Sequence, residues 1–202
     1  MDVALFMGKL IYCDMVFADM SAWNYWTALS PEQWGHKNRF YLMRVLPTGG
    51  DYGSLTEGGT VDENKNLWAL GNYSLFIRPG YKRIELEGAS EMNHLLASAY
   101  MSPDGDRIVV VYVNNAQLRR FTDISIRNTD KEIVEVRKYV TSSSSNLKLS
   151  TTSTSAAHIT IPGKSVTTVV IDLKEKSGIS EVKANKKSGN GVYTINGVKV
   201  NN

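Results

Sequence analysis

Three large aromatic rings fall within four residues at Trp23, Tyr25 and Trp26, with Asn24 between them, and no other stretch of the chain is as dense in side-chain chemistry. Flat indole and phenol rings stack on the apolar faces of sugars, while Asn24 and the Tyr25 hydroxyl offer polar handles for sugar hydroxyls. The same rings can equally fill a core. If an extended strand runs through them, period two puts Trp23 and Tyr25 on one side and Asn24 and Trp26 on the other. Read from the residues, one ring belongs to a site and the others to packing, and spacing leaves open which. Trp23, Tyr25 and Trp26 are the candidate substrate-binding residues.

A catalyst to accompany these rings is hard to find. Nucleophilic catalysis needs a base within hydrogen-bond reach and usually a sharp turn that exposes the nucleophile, yet no Gly-x-Ser-x-Gly occurs. Cys13 has no activating partner in sequence and reads as a small buried hydrophobe on a helix. Neither phosphate-binding glycine spacing is present. A paired-carboxylate site is the remaining option, with one acid kept protonated and one ionised. Among Glu32, Glu57, Glu63, Glu85, Glu87 and Glu91, none follows a buried strand inside an aromatic pocket. Glu32 comes nearest, six residues after Trp26, but Ser30-Pro31-Glu32 suits the first turn of a helix or loop, where a carboxylate offsets the dipole.

The composition narrows the classes further. With 202 residues and 42% hydrophobic content, the chain can bury a core and fits one domain or one and a half. The balance of 23 Lys+Arg against 20 Asp+Glu is too even and scattered for a nucleic-acid footprint; the cluster at Lys174, Lys176, Lys183, Lys186 and Lys187 reads as a solvated tail. One Cys and three His (His36, His94, His158) hold neither a disulfide framework nor metal-ligand spacing, so no metal or cofactor is expected. Asp2 and Asp14 argue against a signal peptide at the start, and Tyr12 is too large for the position before Cys13 in a lipoprotein box. No apolar run is long enough to span a bilayer.

The elements that must position the rings follow from periodicity. Val3 to Met15 places Ala4, Leu5, Gly8, Ile11, Tyr12 and Met15 at helical spacing, with Lys9 and Asp14 off that stripe, which predicts an amphipathic helix. Met15 to Leu29 suits a short buried strand and an aromatic-rich loop. Phe40 to Leu46 is strand-like, and the glycine-rich stretch Pro47 to Glu63 is expected to be a long loop. Asn64 to Phe76 returns to helical spacing and stops at Arg78-Pro79-Gly80. Beyond it the period becomes two, with strands expected at Lys82–Leu86, Leu95–Met101, Arg107–Val113, Phe121–Ile126, Ile133–Val140, His158–Ile161 and Val166–Leu173. Ser102-Pro103-Asp104-Gly105 is a tight turn between two of them. Such strands predict an antiparallel sandwich. Thr141 to Ser155 is a loop or an edge strand, Lys174 to Asn190 a polar linker, and Gly191 to Val200 a small hairpin closed by Asn196-Gly197.

The order Ala22-Trp23-Asn24-Tyr25-Trp26, then Leu67-Trp68-Ala69-Leu70-Gly71-Asn72-Tyr73-Ser74-Leu75-Phe76-Ile77-Arg78-Pro79-Gly80, then Ser102-Pro103-Asp104-Gly105 before Val109-Val110-Val111-Tyr112-Val113-Asn114, resembles the C-terminal part of glycoside hydrolase family 30 over about residues 1 to 173. Members are retaining β-glycosidases with a (β/α)8 barrel fused to a β-sandwich, and include glucosylceramidases, glucuronoxylanases and β-1,6-glycanases. The resemblance implies a mainly β fold, an antiparallel β-sandwich preceded by the last helix-strand-helix elements of a truncated barrel. Residues 1–81 would be the barrel remnant, 82–173 the sandwich, and 174–202 the linker and hairpin. Val3 to Met15 would be the seventh barrel helix, Phe17 to Trp26 the eighth strand and its loop, and Asn64 to Phe76 the eighth helix. Trp23 would match the tryptophan that lines the sugar subsite at the end of the eighth strand.

The family's acid/base Glu lies in an Asn-Glu-Pro motif, which is missing here, and its nucleophile ends the seventh strand, which would precede Met1. The expectation is therefore a C-terminal fragment of a retaining β-glycosidase acting on β-linked oligo- or polysaccharide, inactive alone, with Met1 standing in mid-fold. An unpaired sandwich edge and an exposed apolar barrel face would follow. The resemblance places the full-length protein outside the cytoplasm, secreted, periplasmic or at the cell surface, and the final hairpin is similar to a secretion-type C-terminal region of Bacteroidetes proteins. The alternatives are a noncatalytic carbohydrate-binding or interaction module, and a weak hydrolase using an unexpected carboxylate pair with Glu32.

Overall fold

A computed structural model describes residues 1–31, 41–49, 54–88, 92, 94–176, 192–193 and 199–200. The predicted first helix forms as α1 (Asp2–Val16), burying Ala4, Leu5, Met7, Gly8, Ile11 and Tyr12. Gly8 lets its backbone approach the sheet beneath, since a Cβ there would lie 3.2 Å from Val113 Cγ2 and 3.4 Å from Val166 Cγ2. The helix is not amphipathic in the expected sense, because its outer side is apolar too. Val3, Phe6 and Leu10, at helical spacing, are exposed there. Cys13, expected to be buried, is half-buried beside the core.

The sheet order is β4-β5-β6-β11-β8-β9. These strands are β4 (Lys82–Ile84), β5 (Leu95–Met101), β6 (Arg107–Asn114), β8 (Lys131–Ser142), β9 (Ser145–Ser153) and β11 (Ser165–Glu175), all antiparallel to their neighbours. The run Ile108-Val109-Val110-Val111-Tyr112-Val113 is apolar at every position because both faces of β6 are covered. Its odd residues Val109, Val111 and Val113 enter a core shared with α1 and α2 (Lys65–Ser74); its even residues Ile108, Val110 and Tyr112 enter a second core on the other side. β11 divides likewise, Val166 and Val170 to the helices and Val169 and Ile171 away from them. The predicted turn joins β5 to β6, with Gly105 N–H donating to Ser102 O at 3.0 Å and Gly105 at φ 71°. Thr141 to Ser155, left open by sequence, contributes β9 at the sheet edge. Its two register shifts, Lys148 and the Ser/Thr-rich surface blunt that edge against further pairing.

The second layer of the sandwich is small: β7 (Arg120–Thr122) paired with β10 (Ile159–Ile161). The strand expected over Phe121–Ile126 is therefore shorter, as is that over Lys82–Leu86; residues beyond Thr122 and Ile84 run without ladder partners. β11 continues to Glu175, into the stretch expected as linker, and residues 177–190 lie outside the described ones.

Three further expectations are corrected. Phe17 to Trp26 forms no strand, since among the described residues no strand runs beside it to take its backbone bonds. The strand expected over Phe40–Leu46 is β2 (Met43–Gly49), with Phe40 outside the described residues. The loop expected at Pro47–Glu63 contains β3 (Ser54–Glu63), antiparallel to β2, while β1 (Leu29–Pro31) pairs with β2 in parallel. Residues 60–63 are exposed and show no apolar alternation, so hydropathy hides this ribbon; Arg44 and Asp62, opposite in register, pair across it. Near the C-terminus, β12 (Val192–Tyr193) and β13 (Lys199–Val200) pair antiparallel within the stretch expected as a hairpin, whose expected Asn196-Gly197 turn lies outside the described residues.

Candidate functional site

The aromatic loop leaves the end of α1 and reaches β1. Phe17 N–H and Ala18 N–H both donate to Cys13 O, at 2.9 and 3.2 Å, and Met20 N–H donates to Asp14 O at 3.1 Å, which turns the chain back along the helix end. Asp19, at φ 51°, adopts a left-handed conformation that Asp tolerates better than most residues. Its carboxylate pairs with Arg83 at 2.9 Å, an exposed contact that adds little stability.

The loop assigns the three rings different tasks. Trp23 and Tyr25 stack with centroids 5.8 Å apart and planes at 13°, both half-buried against the helix-side core. The Trp23 Nε1–H donates to Asp14 Oδ2 at 2.9 Å. Burial pushes the Tyr25 phenol up from its ordinary value, keeping it a neutral donor at physiological pH. Trp26 is 91% exposed. Period two held for these rings even without a strand: Trp23 and Tyr25 face the protein, Asn24 and Trp26 face solvent. The exposed ring is thus Trp26. In sequence Asp14 stands out only as an acid off the apolar stripe of the first helix, nine residues before Trp23.

Behind the loop, α1 and α2 are fixed by polar bonds that the apolar pattern does not reveal. Tyr73 Oη donates to Gly8 O at 3.3 Å, joining the helices. Asn72, fully buried, donates from Nδ2 to Trp68 O and to Thr141 Oγ1, each at 2.7 Å, while its Oδ1 accepts from Thr168 Oγ1 at 2.9 Å. α2 is thereby bolted to β8 and β11. A rigid base of this kind holds a recognition loop still.

No pair of acids faces the rings among the described residues with known side-chain positions. Glu32 and Glu91 lie outside those residues, and Glu63 is exposed at the end of β3. Glu85 and Glu87 instead rim a cavity of about 500 Å³ on the far side of the sheet, floored by Ala99, Ile108, Val110 and Tyr112. Arg127 pairs with Glu87 at 3.1 Å on that rim. None of the loop's rings lines this cavity. No described helix is long and apolar enough to cross a membrane.

The loop can therefore offer a fixed aromatic plane and polar neighbours, and among the described side chains no pair of carboxyl groups faces it. Known proteins share this arrangement of elements. Residues 80–169 match the family model of the glycosyl hydrolase family 30 beta sandwich domain. The glucuronoxylanase XynC of Bacillus subtilis is 29% identical over 174 residues, covering 84% of this chain, which spans about a third (34%) of that relative's length. A conserved exported protein from Bacteroides fragilis superposes with a TM-score of 0.69 at 27% identity, over 83% of this chain and 33% of that one. A family 30 subfamily 8 xylanase from Clostridium acetobutylicum shares the fold at 24% identity and a TM-score of 0.61, over 84% of this chain and 38% of its own.

Proposed function

We propose, from the match of residues 80–169 to the family model of the glycosyl hydrolase family 30 beta sandwich domain, that the chain is the C-terminal part of a retaining β-glycosidase acting on a β-linked, xylan-type glycan. In this reading residues 1–81 are the last elements of the catalytic barrel and residues 82–173 the sandwich that buttresses them. The aromatic loop forms one wall of the sugar site. The observation that carries the reading is the exposure of Trp26 on a loop whose other two rings are stacked and pinned. Such a plane meets the apolar face of a pyranose, and binding costs little because the loop is already ordered. Trp23 and Tyr25 act as its support, and Asn24 lies on its exposed side.

Retaining hydrolysis takes two carboxyl groups about 5 to 5.5 Å apart, flanking the scissile bond. The sequence contains no Asn-Glu-Pro. By itself the chain binds sugar without cleaving it, and the protein works outside the cytoplasm, as the name of its exported relative suggests.

Titration of the chain with xylohexaose, followed by tryptophan fluorescence, tests this. Trp26→Ala is expected to weaken binding by about tenfold, equivalent to about 1.4 kcal/mol, and the chain is expected to leave aryl β-xylosides intact. Turnover that disappears in Glu32→Gln would instead establish a carboxylate site. Binding that survives both Trp26→Ala and Trp23→Ala would move recognition to the sandwich, as in a noncatalytic carbohydrate-binding module; its far-side cavity is the place for it.

A further inference from the structure

We infer that Asp14 is a positioning residue, holding Trp23 so that Trp26 stays presented to the sugar; this rests on the sugar-wall reading above. An acid is misplaced where Asp14 stands. The last turn of a helix exposes carbonyls of partial negative charge, which repel a carboxylate, and the last turn of α1 contains no basic residue to offset it. A residue that breaks a local rule is expected where another role compensates. The compensation here is the bond from Trp23 Nε1–H to Asp14 Oδ2 at 2.9 Å, strengthened by the acceptor's charge.

Asp14 also holds the loop a second time. Its backbone carbonyl accepts from Met20 N–H at 3.1 Å, so one residue fixes both Met20 and Trp23. Trp23 stacks on Tyr25, and Trp26 is the next residue along. With two rings fixed immediately before it, Trp26 has little freedom left. Only the side-chain half of this grip is removable by mutation, and losing it also removes the unfavourable charge from the helix. Loop order and protein stability should therefore respond in opposite directions.

The test compares the wild-type chain with Asp14→Ala and Asp14→Asn by ¹⁵N NMR, thermal melting and xylohexaose titration. In Asp14→Ala, exchange of the Trp23 indole proton should accelerate by more than about tenfold. The Trp26 backbone order parameter should fall from about 0.85 toward 0.6, and affinity should drop about fivefold, while Tm holds or rises. Asp14→Asn keeps an oxygen acceptor and should retain most of the loop order. An unchanged Trp26 order parameter in Asp14→Ala overturns the inference, whatever Trp23 does. So does a large loss of Tm in Asp14→Ala, which would make the residue a structural support. If the wild type binds no xylohexaose, the sugar-wall reading falls on its own, since the two NMR readouts involve no sugar.

Discussion

The two faces of the six-stranded sheet share their strands, yet they are finished differently. On the helix side, Leu96, Val109, Val111, Val113, Val166 and Val170 meet α1 and α2 closely enough that a Cβ on Gly8 would lie 3.2 Å from Val113 and force it to give way slightly, and the polar bonds of Asn72 fix α2 in place. On the far side, the short β7–β10 pair covers only part of the floor and leaves a cavity of about 500 Å³ beside Ala99, Ile108, Val110 and Tyr112. The lesson is that alternation along one strand sets two levels of rigidity. The rigid face lies under the aromatic loop.

Five substitutions test that contrast by chemical or thermal denaturation. Asn72→Ala should cost the most, about 3 kcal/mol, because it leaves the Trp68 carbonyl and the Thr141 and Thr168 hydroxyls short of buried partners. Val111→Ala should cost about 2 kcal/mol and Val110→Ala about 1 kcal/mol, since only the second residue borders space that is already open. Equal losses would show that the far face is packed as tightly as the near one. Adding a methyl group should invert the order. Gly8→Ala should destabilise by about 1 kcal/mol after its gain in helix propensity, whereas Ala99→Val, pointing into the cavity, should be neutral or stabilising by about 0.5 kcal/mol.

The smallest effect belongs to the turn outside both cores. The Ser102 hydroxyl, helped by the Asp106 backbone N–H, holds the Asp104 carboxyl below its usual value. A depressed carboxyl contributes stability above the ordinary Asp value of about 3.9, and loses it as pH falls through the folded-state value. The Tm difference between wild type and Ser102→Ala should accordingly shrink from pH 7 to about pH 2. Some difference should remain, because Ser102 Oγ also accepts from Arg107 N–H at 3.0 Å.

Legibility in sequence followed the same division between apolar pattern and polar detail. The β5–β6 turn and the long strands β6, β8 and β11 were readable because Ser-Pro-Asp-Gly and dense Val/Ile runs have one dominant local solution. Strand β2 was readable in part, over Met43 to Leu46, but β3 was not, since its glycines and exposed polar residues carry no apolar alternation. In the site, the three rings were readable as a cluster. That Trp26 is the presented one depends on Asp14 meeting Trp23, a contact between residues nine apart. The Asn72 anchor was equally hidden, because Thr141 and Thr168 lie 69 and 96 positions away.

The place of β11 in the sheet sets an order of assembly. It lies between β6 and β8, forming ladders with both, although it follows both in the chain. As the polypeptide emerges from the ribosome, β4–β5–β6 can pair as one meander and β8–β9 as a hairpin, but each presents an open edge toward a strand not yet made. Residues 165–175 must arrive before the two halves can join, so closure of the sheet is a late, long-range step. A ribosome pausing just before Ser165 would leave both edges open to pairing with another nascent chain.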